Sequence, residues 1–284
     1  MAETKVWLVT GASRGLGLEI VKAALKAGHA VVACYRNKAK ISATAFAEVE
    51  ALGGTWLELD VAGENVESQV QSVVVQYGRI DVLVNNAGYA ILGSIEETSV
   101  DHINRIFNTN VVGTVRTIQA ALPAMRSRHS GTIINLSSSL AFGPTPGLAI
   151  YGATKFAIEA ITESLQAEVG SFGIRVLLVE PGSMDTEFQG PASGTLIPLG
   201  EAYQGTAVHM VKQFLEAPGY LDSASKPANV AQRIVEAVDK TGVMARKEVS
   251  LRLPLGKDTS SQMAKRAEMY GDLAKNMKDI CESI

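Results

Sequence analysis

Short apolar runs recur along this chain with helix-length segments between them, and that rhythm leaves few folds open. KVWLVT, AVVACY, TWLELD, DVLVNN, GTIINLS and IRVLLVE are brief and mostly rich in Val, Ile and Leu. Runs of this kind, apolar without alternation, mark strands covered on both faces in a parallel sheet. Helical segments lie between them at about 15–27, 41–52, 64–77, 99–128 and 152–171. A seventh strand is expected near EVSLRL (248–253), and 257–281 is helical in pattern, placed to cover a sheet edge or a partner subunit. Parallel strands joined by helices cross over right-handedly. The pattern therefore predicts an α/β fold, a doubly wound parallel sheet with helices on both faces. The 284 residues, 46% of them hydrophobic, show no linker, repeat or low-complexity tract, so a single domain is expected.

Charge and residue usage exclude several function classes. The net charge is −3 and no basic cluster occurs, which argues against a nucleic-acid partner. Cys34 and Cys281 make neither a disulfide framework nor a metal set, and the four histidines have no ligand spacing, so no metal is expected. MAETKVWLVT turns directly into a strand and no apolar stretch approaches the roughly 20 residues of a membrane span. These features predict a cytoplasmic protein with no secretory leader and no membrane span.

The first strand runs into TGASRGLG, where Gly11, Gly15 and Gly17 open a helix. Glycines permit the tight turn and let backbone approach a pyrophosphate, which meets the positive end of the helix dipole. The spacing is G-x-x-x-G-x-G, and its place between a strand and a helix points to a dinucleotide. An NAD site expects an acid at the end of the second strand for the ribose 2′-hydroxyl. Here that strand ends ACYRN, with Arg36 and no acid, and Arg14 adds a second cation in the turn. Two guanidiniums suit a 2′-phosphate, so NADP(H) is expected over NAD(H).

Tyr151 and Lys155 stand four apart in YGATKFAIEA and would share one helix face. An ammonium beside a phenol is expected to lower the phenol pKa towards the range of a working acid or base. Ser138, in NLSSSLAF at the end of a strand, could bond the oxygen that Tyr151 protonates. Ser137 and Ser139 flank it, and spacing alone selects Ser138.

Taken together, these residues resemble the short-chain dehydrogenase/reductase family over about 4–255. TGASRGLG matches its cofactor turn, with Gly11, Ser13, Arg14, Gly15, Leu16 and Gly17 at binding positions. Asp60 and Val61 in LDV match the adenine contact, and Asn86, Ala87 and Gly88 in NNAG match the adenine-ribose side. Pro181, Gly182, Met184 and Thr186 in PGSMDT match the segment that closes over the nicotinamide. Asn110 in FNTNVVG, with Ser138, Tyr151 and Lys155, matches the catalytic tetrad, serine standing thirteen residues before tyrosine. The resemblance implies a Rossmann-type seven-stranded sheet and hydride exchange with NADP(H). It implies Tyr151 as proton donor or base and Lys155 holding the nicotinamide ribose. Ser138 would polarise the substrate oxygen, and Asn110 would position a relay water. It also implies a homodimer or homotetramer through the helices at 99–128 and 152–171.

On this reading 4–182 forms the cofactor-binding part, 183–225 a substrate lid and 226–284 a C-terminal strand and helix. The segments expected to line the pocket are rich in apolar residues: Tyr89, Ile91, Leu92, Leu140, Phe142, Phe188, Leu196, Ile197, Leu199, Tyr203, Met210, Phe214 and Leu215. They hold no arginine, and a phosphate or carboxylate would want one. An apolar, ring-containing carbonyl or secondary alcohol is therefore expected as substrate. Two alternatives stay open: an NADP(H)-binding enzyme of the same fold that dehydrates, epimerises or cyclises, and a nucleotide-binding protein without catalysis.

Overall fold

A computed structural model describes residues 3–186 and 195–284. Its chain begins β1 (Val6–Val9), α1 (Gly15–Lys26), β2 (Ala30–Tyr35), α2 (Ala43–Ala51), β3 (Thr55–Glu58), α3 (Val66–Tyr77) and β4 (Val82–Asn85). It continues through β5 (Ile91–Leu92), α4 (Val100–Phe107), α5 (Gly113–Ser127), β6 (Gly131–Leu136), α6 (Ala149–Val169), β7 (Ile174–Pro181) and β8 (Thr195–Leu196). Then follow α7 (Ala207–Glu216), α8 (Pro227–Asp239), β9 (Arg252–Leu255), α9 (Lys257–Asn276) and α10 (Lys278–Cys281). Seven strands form one sheet in the order β3-β2-β1-β4-β6-β7-β9, with every pair parallel. The order reverses between β1 and β4, and the crevice at that reversal is where such sheets bind ligands.

Two apolar cores cover the two faces of the sheet. Residues of one strand alternate between them: Trp7 and Val9 join α1 and α8 on one side, while Leu8 packs with α3, α5 and α6 on the other. Both sets are fully buried, so the strands read as continuous apolar runs.

Four features depart from the sequence reading. The helix expected over 99–128 is interrupted by a π-helical turn at Asn108–Val112, joining α4 to α5. The seventh strand lies at Arg252–Leu255, later than 248–253, because the register partners of β7 begin at Arg252. Helix α8 was hidden behind a Gly-, Pro- and Ser-rich stretch, although Pro227 at its first turn and the spacing of Val230, Ile234 and Val238 mark it. The pair β5 and β8 forms a second, two-stranded parallel sheet, each strand too short to show periodicity.

Candidate active site

The loops after β1, β2, β3, β4, β6 and β7 converge at the carboxyl edge of the sheet, and the residues matched above to cofactor and tetrad positions lie on them, at the end of β7, or on α1, α6 and the π turn. Gly11 has φ +64, and a Cβ there would stand 2.7 Å from the Ala87 Cα. A Cβ on Gly17 would stand 2.4 Å from the Gly11 carbonyl oxygen. Glycine is required at both because the β4 loop is drawn against the turn. Asn86 makes that closure: its Nδ2 donates to the Thr10 and Gly11 carbonyls, each at 3.0 Å. Thr10 Oγ1 accepts from the backbone N–H of Asn86 at 3.0 Å and of Ala87 at 3.1 Å.

Helix α1 starts with no side-chain cap at Arg14 and no acid in its first turn. Its first N–H groups therefore stay available to an anion, which fits the pyrophosphate of a dinucleotide. Leu16 is buried beneath the turn. Ser13 and Gly15 lie half-buried beside it. Arg36 is exposed just past β2, and Asp60 is exposed past β3 with Val61 buried beside it. Gly88 abuts Asn110, a Cβ there reaching within 3.1 Å of the Asn110 Oδ1.

Across the crevice, the Tyr151 hydroxyl is hydrogen-bonded to Ser138. Of the three serines, the structure thus brings Ser138 to the tyrosine. Ser137 and Ser139 are buried, and the Ser137 hydroxyl has no hydrogen-bond partner among the described residues. Lys155 is buried, donates to the Leu136 carbonyl at 2.7 Å and places Nζ 5.6 Å from the Tyr151 ring centroid. Burial pushes the Tyr151 phenol well above its ordinary value, against a smaller downward pull from Ser138. The spacing argument expected the opposite, a phenol lowered by Lys155. The correction has a physical cause: the ammonium is turned to the Leu136 carbonyl, and burial outweighs it. Burial also pulls Lys155 down to about 8, opposed by Glu159 one helical turn away.

Asn110 is buried in the π turn. Its Oδ1 accepts from Tyr89 N–H at 3.1 Å, and its Nδ2 donates to the Tyr89 carbonyl at 2.9 Å and to Thr154 Oγ1 at 3.1 Å. It therefore ties the β4 loop to the residue before Lys155. A second buried chain runs behind the site. Thr117 donates to Asn85 Oδ1 at 2.6 Å, Asn85 to Asn135 at 2.8 Å and Asn135 to Thr162 at 2.9 Å.

Pro181 is buried at the end of β7, and Met184 forms a bridge with Ser225. Thr186 lies next to the glycine turn, its Cγ2 3.8 Å from where a Gly15 Cβ would be. Asp258, on α9, accepts from Ser183 N–H at 2.7 Å and abuts Gly182. Local sequence gave no signal for this anchor, which comes from 75 residues away. Thr10, Asn135 and Thr154 also went unremarked, because a threonine or asparagine in an apolar run is noticed only once its partner is known.

Ala90, Ile91, Leu92, Leu140, Leu148 and Ile197 cluster round Tyr151, with Tyr89, Leu196 and Leu215 packed against them. The β5–β8 pairing and the bond from Ile197 N–H to the Leu92 carbonyl at 2.8 Å bring the segment after residue 195 onto this cluster. Met210 and Phe214 point away, 59% and 63% exposed, because the apolar side of α7 that packs inward carries Leu215. Both therefore leave the expected pocket lining. His209 accepts from Gly205 N–H at 2.9 Å, which gives it a local structural use. Phe188 lies outside the described residues.

A family model described as short chain dehydrogenase matches residues 5–195. The chain is 42% identical over 208 residues to oxidoreductase claN of Passalora fulva, covering 73% of this chain and 94% of that one. It is 33% identical over 264 residues to human retinol dehydrogenase 8, covering 88% and 83%. Among solved structures, a short-chain dehydrogenase from Streptomyces avermitilis superposes with a TM-score of 0.86 at 33% identity, covering 100% of this chain and 99% of that one. An alcohol dehydrogenase from Thermococcus sibiricus, complexed with 5-hydroxy-NADP, superposes with a TM-score of 0.70 at 26% identity, covering 89% and 96%.

Proposed function

The chain belongs to the short-chain dehydrogenase family, oxidoreductases of alcohol and carbonyl groups, and on that footing we propose that it interconverts an apolar, ring-containing carbonyl and its alcohol with NADP(H). The observation that carries the chemistry is the buried Tyr151 hydroxyl, bonded to Ser138 with Lys155 behind it. Bound in the crevice, the nicotinamide would supply or take up a hydride. The residues of the chain do the rest. Ser138 and Tyr151 hold the substrate oxygen between them, and the raised phenol pKa keeps on Tyr151 the proton that a new alkoxide needs. Lys155, close to its own titration near neutral pH, stands ready to restore that proton and to hold the nicotinamide ribose. Asn110 keeps the Tyr89 loop and Thr154 in place beside it.

Three features support the finer reading. Arg36 is exposed at the end of β2 where an NAD site wants an acid, and the Thermococcus neighbour is complexed with an NADP derivative. The cluster round Tyr151 is aliphatic and aromatic throughout. The human relative is named for retinol, an apolar alcohol with a ring.

The test follows NADPH absorbance with a panel of lipophilic ketones and aldehydes. Oxidation of NADPH in proportion to product, lost by at least about 100-fold in Tyr151→Phe while NADPH still binds, is the expected result. Product formed without loss of NADPH, or near-normal turnover in Tyr151→Phe, would overturn the reading.

A further inference from the structure

Helix α6 carries four titratable side chains in one line. Tyr151, Lys155, Glu159 and Glu163 stand four residues apart, so each lies about one turn beyond the last on the same face. The line runs from the interior to the surface. Tyr151, Lys155 and Glu159 are buried, at 6%, 7% and 8% exposure, and Glu163 is exposed. Tyr151 and Lys155 belong to the candidate site. Glu159 lies one turn behind them, where a buried charge is costly.

Arg252 clamps that charge in place. Its Nη1 donates to Glu159 Oε2 and to Glu180 Oε1, and its Nη2 donates to Glu163. The guanidinium also lies over the Phe142 ring at 5.9 Å. Glu159 Oε1 and Glu180 Oε2 are buried with no hydrogen-bond partner among the described residues. The clamp therefore satisfies one oxygen of each carboxyl group and leaves the other acting on the low-dielectric interior.

The groups packed round Glu159 show which cation feels it. Helix α6 itself brings Lys155 and Glu163, β7 brings Glu180 and β9 brings Arg252. From α9, Arg266 is turned to the Phe156 and Tyr270 rings, at 5.7 and 4.8 Å, and the buried Thr259 is neutral. From α4, Asp101 and Arg105 are exposed. Strand β6 and its loop bring Asn135 and Ser137, and the π turn Asn110, all neutral. Arg252 is shared among three carboxyl groups. Lys155 is the one buried Lys or Arg among the described residues, and its hydrogen bond goes to a neutral acceptor, the Leu136 carbonyl. Glu159 is the carboxyl group next along its own face. The titrations agree with this geometry: burial pulls Lys155 down while Glu159 pulls it up, and burial followed by repulsion from Glu159 raises Glu180.

We propose that Glu159, clamped by Arg252, is a positioning residue that acts through Lys155, its charge one helical turn away keeping Lys155 an ammonium. The effect on Lys155 follows from the line of side chains alone; its bearing on turnover rests on the proposed reduction, in which the ammonium restores the proton of Tyr151.

The test labels the full chain with lysine carrying carbon-13 at Cε, whose NMR shift follows the charge of each side chain. Lys155→Met assigns the signal. In Glu159→Gln, which keeps the shape and an oxygen for Arg252, the Lys155 midpoint is expected about one pH unit lower. Glu159→Asp keeps the charge and should hold the midpoint near that of the parent, which a purely structural role would not. Glu163→Gln loosens the same clamp two turns away and should also leave it in place. An unchanged midpoint in Glu159→Gln, or an equal displacement in Glu163→Gln, would overturn the proposal. The pH profile of kcat for NADPH-dependent reduction of a lipophilic ketone is read in the same variants, and its alkaline limb should move to lower pH by the same interval as the midpoint. A displaced midpoint with an unmoved limb would overturn the reading of Lys155 as proton source and not its coupling to Glu159.

Discussion

A phenol enclosed by apolar side chains keeps its proton, because burial costs the phenolate more in lost hydration than the bond from the Ser138 hydroxyl returns. Tyr151 therefore holds its proton, as the proposed acid role requires. The four-residue spacing to Lys155 brings the two together on α6 but does not decide where the ammonium points, since the Leu136 carbonyl competes for it. Arg36 is the simpler case. It is exposed at the edge of the crevice, so its effect is electrostatic and local. On the proposed NADP(H) assignment, Arg36→Asp would remove a charge-assisted contact of about 1.5–3 kcal/mol to a 2′-phosphate and add an acceptor for a 2′-hydroxyl. The kcat/KM ratio of NADPH to NADH should fall by about 10–100-fold, measured with both coenzymes on one substrate. An unchanged ratio would remove the coenzyme assignment.

At the level of elements, strands and helices are held in register at the site by buried polar chains. Thr117, Asn85, Asn135 and Thr162 link α5, β4, β6 and α6 through the core, where no water can replace a lost partner. Asn135→Ala leaves the Asn85 amide without its acceptor, while Thr162 keeps its bond to the Ile158 carbonyl at 2.6 Å. The expected cost is about 1–3 kcal/mol in denaturant unfolding. A variant as stable as the parent would show that the chain is dispensable. Asn85 is legible as a structural hydrogen-bonder at the start of NNAG, whereas Thr117, Asn135 and Thr162 carry no signal in the helices and apolar run that contain them. The runs identified the strands, whereas the pairing between them depends on which loops bring β4 beside β6.

For the whole molecule, closing the sheet at β9 brings Arg252 between Glu159, Glu163 and Glu180, so that one cation joins the last strand to α6 and to β7. Glu180 is fully buried, and burial followed by repulsion from Glu159 raises its pKa to about 7. The folded state then binds a proton that the unfolded chain releases near its ordinary value of 4.5. Stability from this group is greatest at the acid end and declines as pH rises from about 4.5 to about 7. Glu180→Gln cannot titrate, so its stability relative to the parent should rise with pH across that window. Tm measured in parallel on both proteins checks it, and a constant difference would place the titration elsewhere.

The first six strands of the large sheet and most of the helices between them, the glycine turn after β1 and the residues gathered at the candidate site were legible in the sequence, because periodicity, glycine spacing and a fixed helical step are local properties. The π turn at Asn108–Val112, the anchoring of Ser183 by Asp258, the exposure of Phe214 and the direction of the Tyr151 pKa were decided only by the tertiary structure. Each depends on groups distant in the chain meeting in a low-dielectric interior or failing to meet there. Burial is set by the assembled fold, and no residue carries it alone.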